Sequence, residues 1–356
     1  MTSLFHRSAW LHGLGAAACM TMLATPASAQ WTAQNSGTDA SFRGMSVVDA
    51  SFVWISGTRG TFAWTDDAGR TWHAGHVAGA ESRDFRAVNA ITRDTAVLEV
   101  ASPDTALIYR TTDRGVTWKE VHRDESKGAF LDALAFFDSH HGLAIGDPVA
   151  GHFVLLETVD GGETWKPLAT TSLPLALAGE GAFAASGTAL ITCGSRDAWF
   201  ATGGASVSRV FHTADAGRSW TVAETPIKAG SAPAGIFSLA CRNTRELIAV
   251  GGNYAKPHAA DVTVALSSDG GATWKAVAPS AATPFMSGVA YLEAARSARR
   301  IIAVGTEGTA YSTDSGNTWT RLDSRSLNVV HPDGRGSAWG AGARGSVTRL
   351  GSLVPM

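Results

Sequence analysis

One eight-residue pattern, Ser/Thr-x-Asp-x-Gly-x-Thr/Ser-Trp, occurs six times in this chain and limits its possible folds more than any other feature. The copies span residues 65–72, 111–118, 158–165, 213–220, 267–274 and 312–319, with Asp67, Asp113, Asp160, Asp215, Asp269 and Asp314 in the third place. These residue types suit a tight turn between strands. Asp and Ser/Thr side chains bond neighbouring backbone amides, Gly takes a backbone angle that a Cβ resists, and Trp covers a sheet edge. Successive box tryptophans stand 45–55 residues apart, the period of a four-stranded propeller blade and too long for leucine-rich or helical-hairpin repeats.

Each box is preceded by further short alternating or apolar runs, as at 43–48, 52–56 and 61–65 in the first unit, and followed by one more. Every unit therefore holds four strands, a to d from the inside outward, with the box as the c–d turn. After the sixth box, residues 327–330, 337–340 and 346–350 supply strands a, b and c but no box. The missing outer strand is expected from residues 31–34, which have no blade of their own. The fold class expected is all-β: a seven-bladed β-propeller with Asp-box c–d turns, closed by the N-terminal strand so that no sheet edge stays open. The 39 Gly and 12 Trp against 4 Tyr fit many short strands and turns.

Residues 1–29 read differently. Arg7, an apolar run over 9–24 and Ala27-Ser28-Ala29 predict a secretory signal peptide, with Gln30 as the mature N-terminus and 30–356 as the propeller domain. The run is short for a membrane anchor, and the residues before Cys19 lack the large aliphatic group a lipid anchor needs. No other stretch approaches the roughly 20 apolar residues that cross a bilayer. A periplasmic or secreted monomer without stable membrane insertion is expected. Loss of Arg7 takes the formal net charge from −2 to −3, which leaves no basic footprint for nucleic acid.

The six boxes, together with Ser36-Gly37-Thr38, Phe42-Arg43-Gly44 and Ser56-Gly57-Thr58-Arg59-Gly60, resemble the Asp-box propellers of the photosystem II assembly and stability factor family, in particular its non-photosynthetic bacterial members. The resemblance covers nearly all of the expected mature chain. It implies a seven-bladed ring that binds partner proteins and helps assemble a membrane complex, with no catalytic residues or cofactor to carry over. Family members that serve the photosystem carry a basic patch; here Arg43 and Arg86 match only its inner-strand positions in the first two blades.

Binding in a propeller is expected on the face formed by the d–a and b–c connections, away from the boxes. That face should hold Arg43 and Arg86 at strand a starts, and Arg59, Glu307 and Arg344 in b–c turns. Longer loops there carry Asp147, Glu180, Asn253 and Tyr254. The four arginines are expected on one side of the channel mouth, and Asp147, Glu180, Asn253 and Tyr254 on the other. The six box aspartates each stand alone in a blade and predict turns rather than a metal site. A second reading is an Asp-box glycoside hydrolase using Asp147 and Glu180 as paired carboxylates; a sialidase would also need an arginine triad and a Tyr–Glu pair. No dinucleotide fingerprint is present, and His140-His141 reads as a solvated turn. Cys193 and Cys241 fall at equivalent inner-strand positions of adjacent blades, where a disulfide is allowed but two buried thiols are the favoured expectation.

Overall fold

The computed structural model describes residues 1–2, 30–292 and 299–351, so the expected signal segment, apart from its first two residues, lies outside the described residues. The described chain is all-β, with seven four-stranded antiparallel sheets arranged as the blades of a propeller. Blade I runs Phe42–Val47, Val53–Gly57, Thr61–Thr65, His73–His76, from the channel outward. Blades II to VI repeat this order, starting from the inner strands Phe85–Ala90, Ala133–Phe136, Leu190–Cys193, Ala234–Cys241 and Gly288–Tyr291. Blade VII takes Val329–Pro332, Ala338–Ala341 and Ser346–Leu350, and its outer strand is Trp31–Asn35, paired with Ser346–Leu350. The N-terminal strand thus closes the ring as expected. Trp31 is buried, and its indole N–H donates to Thr309 Oγ1 of blade VI.

Because neighbouring blades cover both faces of each sheet, the second strands read as almost unbroken buried runs, such as Val53-Trp54-Ile55-Ser56-Gly57. Box tryptophans seal the seams between blades: Trp72 packs edge-on against Trp339 of blade VII, and Trp118 against Trp54 and Phe62 of blade I.

All six boxes form the same turn. In the first, the Thr65 hydroxyl donates to Asp67 Oδ1 and accepts from the Gly69 amide, while Asp67 accepts from both the amide and the hydroxyl of Thr71. The residue between Asp and Gly is left-handed in every box. Its amide donates to the a–b turn of its own blade, as Ala68 to Ser51 O and Arg114 to Asp94 O.

The cysteines depart from expectation. Cys193 and Cys241 form a disulfide between the inner strands of blades IV and V, with Cα atoms 6.4 Å apart. At this point near the channel adjacent inner strands converge to within the reach of a disulfide.

Candidate functional site

Inner strands enter their blades from the channel mouth, and three of them start with a β-bulge. The register slips between Phe42 and Gly44, between Phe85 and Ala87, and between Ile236 and Ser238. The unpaired residues are Arg43, Arg86 and Phe237; a bulge bends the strand and re-aims its side chain. Equivalent positions in the other blades, one residue before the first ladder pair, hold Asp132, Ala189, Ser287 and Asn328. Arg43, Arg86, Phe237, Ser287 and Asn328 line a single cavity of about 360 Å³ at the mouth.

The wall of that cavity is completed from an unusual connection. Blade III ends at Lys166–Pro167 and blade IV begins at Leu190–Cys193; the long segment between them folds across the mouth. Phe183 stacks on Phe237 at 3.9 Å between ring centres, and Phe285 meets Phe237 edge-on at 4.8 Å. Tyr254, 55% exposed, rests its ring against both Phe237 and Phe285. Opposite these rings, Arg43 Nη1 donates to the carbonyl of Ala185 (3.3 Å) and Arg86 Nη1 to that of Ala184 (3.1 Å). Arg86 Nε also pairs with Asp84 at 2.8 Å. Burial, then the neighbouring Arg86, lower the Arg43 pKa below its ordinary value.

The remaining expected residues are distributed as follows. Tyr254, expected across the ring from the arginines, joins them in one cavity because the segment over the mouth and its aromatic stack fill the space between. Arg59 and Arg344 are exposed, both with left-handed backbone in b–c turns, and Arg59 pairs with Asp39. Glu180, expected on an open loop, is buried: its carboxylate accepts from Arg209 Nε (2.8 Å), Arg209 Nη2, the Thr202 hydroxyl (2.6 Å) and the Leu177 amide (2.8 Å). So bonded, the carboxylate is the counter-ion of Arg209. Asn253 is likewise buried, with its side-chain oxygen accepting from the Ala255 amide to hold the turn. Asp147 is half-buried in the bulge between Gly146 and Pro148, beside a second cleft of about 320 Å³.

Sequence reasoning missed Phe183, Phe237 and Phe285, which come from separate blades and segments. It also missed two acids near Arg86, Glu99 and Asp132. Glu99 is fully buried, with neither carboxyl oxygen hydrogen-bonded; Asp132 Oδ2 and Asp147 Oδ1 are buried without partners as well. Desolvation, then the charge of Asp132, pushes the Glu99 carboxyl well above its ordinary range; desolvation, then Asp147, does the same to Asp132, and desolvation raises Asp147. A visible signal was Glu99 itself, an acid inside the apolar run Val97-Leu98-Glu99-Val100-Ala101.

Among the described residues no group of three or more His, Cys, Asp or Glu could hold a metal ion, and no helix is long and apolar enough to cross a membrane. Among solved structures, a YCF48 bound to D1 peptide has a TM-score of 0.64 at 16% identity, over 90% of this chain and 96% of that one. YCF48 from Cyanidioschyzon merolae has a TM-score of 0.61 at 18% identity, over 90% and 98%. The Neurospora crassa Pan2 WD40 domain, at 0.64 and 13% over 92% and 96%, shares the fold alone. No curated protein matches the chain. Residues 23–129 and 124–347 match the family model for photosynthesis system II assembly factor YCF48, and the chain belongs to that family.

Proposed function

We propose that this chain is an exported, monomeric protein-binding propeller, an assembly or stability factor for a membrane or envelope complex, that docks a segment of its partner at the channel mouth. The observation that carries the reading is the mouth cavity, where two bulge-delivered arginines face four aromatic rings. Aromatic rings and guanidinium groups are the side chains that most often anchor protein interfaces. The relative seen bound to D1 peptide supports a protein ligand, and membership of an assembly-factor family supports the role. Export is supported by the signal-like residues 1–29 and by the Cys193–Cys241 disulfide, a bond of oxidising compartments.

The test is a photo-crosslinking residue placed at Tyr254 in the exported protein within its native envelope fraction, with a second probe at Val116 near the box turn of blade II. The expected result is a crosslinked partner from Tyr254 only, reduced by Arg43→Glu, on a protein whose N-terminus is Gln30. Crosslinks from Val116 alone, or equal capture in the Arg43 variant, would move the binding surface elsewhere.

A further inference from the structure

We propose that the segment from Gly181 to Gly187 is a releasable plug of the channel mouth, latched by protons on the carboxyl groups beneath it, that closes the mouth in mild acid and frees Arg43 and Arg86 as pH rises. This inference rests on no particular partner; in the cavity proposed above for docking, lifting the plug withdraws Phe183 and leaves Arg43 and Arg86 with Phe237, Tyr254 and Phe285.

The segment crosses the mouth with few backbone ties: Gly181 exchanges two bonds with Gly203, and beyond it the contacts to the inner strands of blades I to III run through side chains. Its carbonyls at Ala184 and Ala185 occupy the two guanidinium groups. Its amides at Ala182 and Ala184 donate to Asp147 and Asp132, bonds that favour the charged carboxylates but that desolvation outweighs at both. The approach is close, since a Cβ on Gly181 would fall 2.5 Å from Asp147 Oδ1.

The charged groups around the plug are Arg43 from blade I, Asp84, Arg86 and Glu99 from blade II, and Asp132 and Asp147 from blade III. On the blade IV side, Glu180 is already paired with Arg209. The facing residues of blades V to VII, Phe237, Ser287 and Asn328, are uncharged. Asp84 pairs with Arg86, which leaves three acids and one further guanidinium, itself held by a backbone carbonyl. Unpartnered, buried carboxyl oxygens are tolerable only while the groups keep their protons.

With the plug lifted, water reaches these acids and their pKa values return toward the ordinary carboxyl range. The closed-state values are raised, so the closed form is fully favoured below about pH 4, and its advantage is lost as pH rises through the raised values. Asp147 gives the proton path, because it lies between the outer cleft and the buried acids.

Hydrogen exchange of the full-length mature protein tests this, with amide rates over 182–186 corrected for the intrinsic effect of pH. As pH rises from about 5 to about 8, protection of these amides is expected to fall by about tenfold or more in all, while core amides such as Ile55 and Ile302 keep theirs. Asp132→Asn with Glu99→Gln is expected to flatten the dependence. Flat protection in the unmodified protein overturns the latch whether or not the variant folds. A fall shared equally by the core amides also overturns it, since the event is then global unfolding, as does an unchanged slope in a folded variant.

Discussion

The two faces of this ring use the same side chain, aspartate, in opposite ways. On the box face each Asp lies near the surface with both carboxyl oxygens bonded to the turn it organises. Hydrogen bonds from the Thr71 and Thr273 side chains, then from their amides, hold Asp67 and Asp269 at about 2; at Asp160 and Asp215 the same kinds of bond outweigh desolvation and also give about 2. At the channel mouth Asp132 is buried and Asp147 half-buried, each with one carboxyl oxygen unpartnered, and desolvation moves their pKa values up. The box arrangement recurs six times, as a device for stability would. The mouth arrangement occurs once, built from one long connection and from side chains that, apart from the arginines of blades I and II, change from blade to blade. Among the described residues the buried carboxyl oxygens without partners all lie at the mouth, and such a concentration marks a place where something other than stability set the sequence.

The largest break in this contrast is expected from Glu180→Ala. Glu180 is the one mouth acid with all its partners, and its loss strands Arg209, which is 8% exposed, against the ring of Phe211. Removing one member of a buried ion pair costs about 3–5 kcal/mol, read as a lowered midpoint of urea unfolding followed by tryptophan fluorescence. A loss below about 1 kcal/mol would mean that the mouth connection folds independently of the ring.

Asp160→Ala strikes the other face and should do less. It removes the acceptor for the Thr158 hydroxyl and for the amide and hydroxyl of Thr164. By analogy with helix caps this costs about 0.5–2 kcal/mol, with protein binding unchanged. The sign with pH distinguishes the faces. Asp160 has a folded pKa below its unfolded value, so its contribution is present above about pH 4 and disappears as pH falls through about 2. The difference in stability between the unmodified protein and the variant should therefore narrow in acid, measured as thermal midpoints across that range. A difference that instead widened in acid would contradict the hydrogen-bonded turn.

How far the sequence showed these two faces follows from the same contrast. The boxes were legible because one backbone geometry imposes the same residues six times, and even the N-terminal strand of blade VII followed by counting. Arg43 and Arg86 were legible as equivalent positions in neighbouring repeats. Phe237 occupies the corresponding bulge in blade V, yet its different chemistry hid it. Glu180 looked like an exposed loop acid because Gly179-Glu180-Gly181 carries turn residues on both sides, and only the fold brings Arg209 from blade IV against it. The disulfide turned on a distance between inner strands that repeat spacing does not supply. What repeats is written locally, and what the mouth does depends on residues brought together from separate blades.

The smallest expected effect lies inside the box and sharpens its half of the comparison. The position between Asp and Gly is left-handed in all six copies, yet only two carry glycine there: Gly161 and Gly270, against Ala68, Arg114, Ala216 and Ser315. Ala68 has φ of 62°, a conformation that costs a residue with a Cβ about 1 kcal/mol or more. Ala68→Gly removes that strain and keeps the amide that donates to Ser51 O, while the added freedom of the unfolded chain takes back about 0.5–1 kcal/mol. The two terms nearly cancel, and the expected net result is a gain of a few tenths of a kcal/mol, or about 1 °C or less in thermal midpoint for a chain of this size. Pro at the same position should instead destabilise the blade, because its ring fixes φ near −65° and it has no amide to give to the a–b turn. If Ala68→Gly lowered the midpoint by several degrees, the left-handed step of the box would not be the strained element its backbone angle indicates, and the Ala68 methyl would be packing for stability instead.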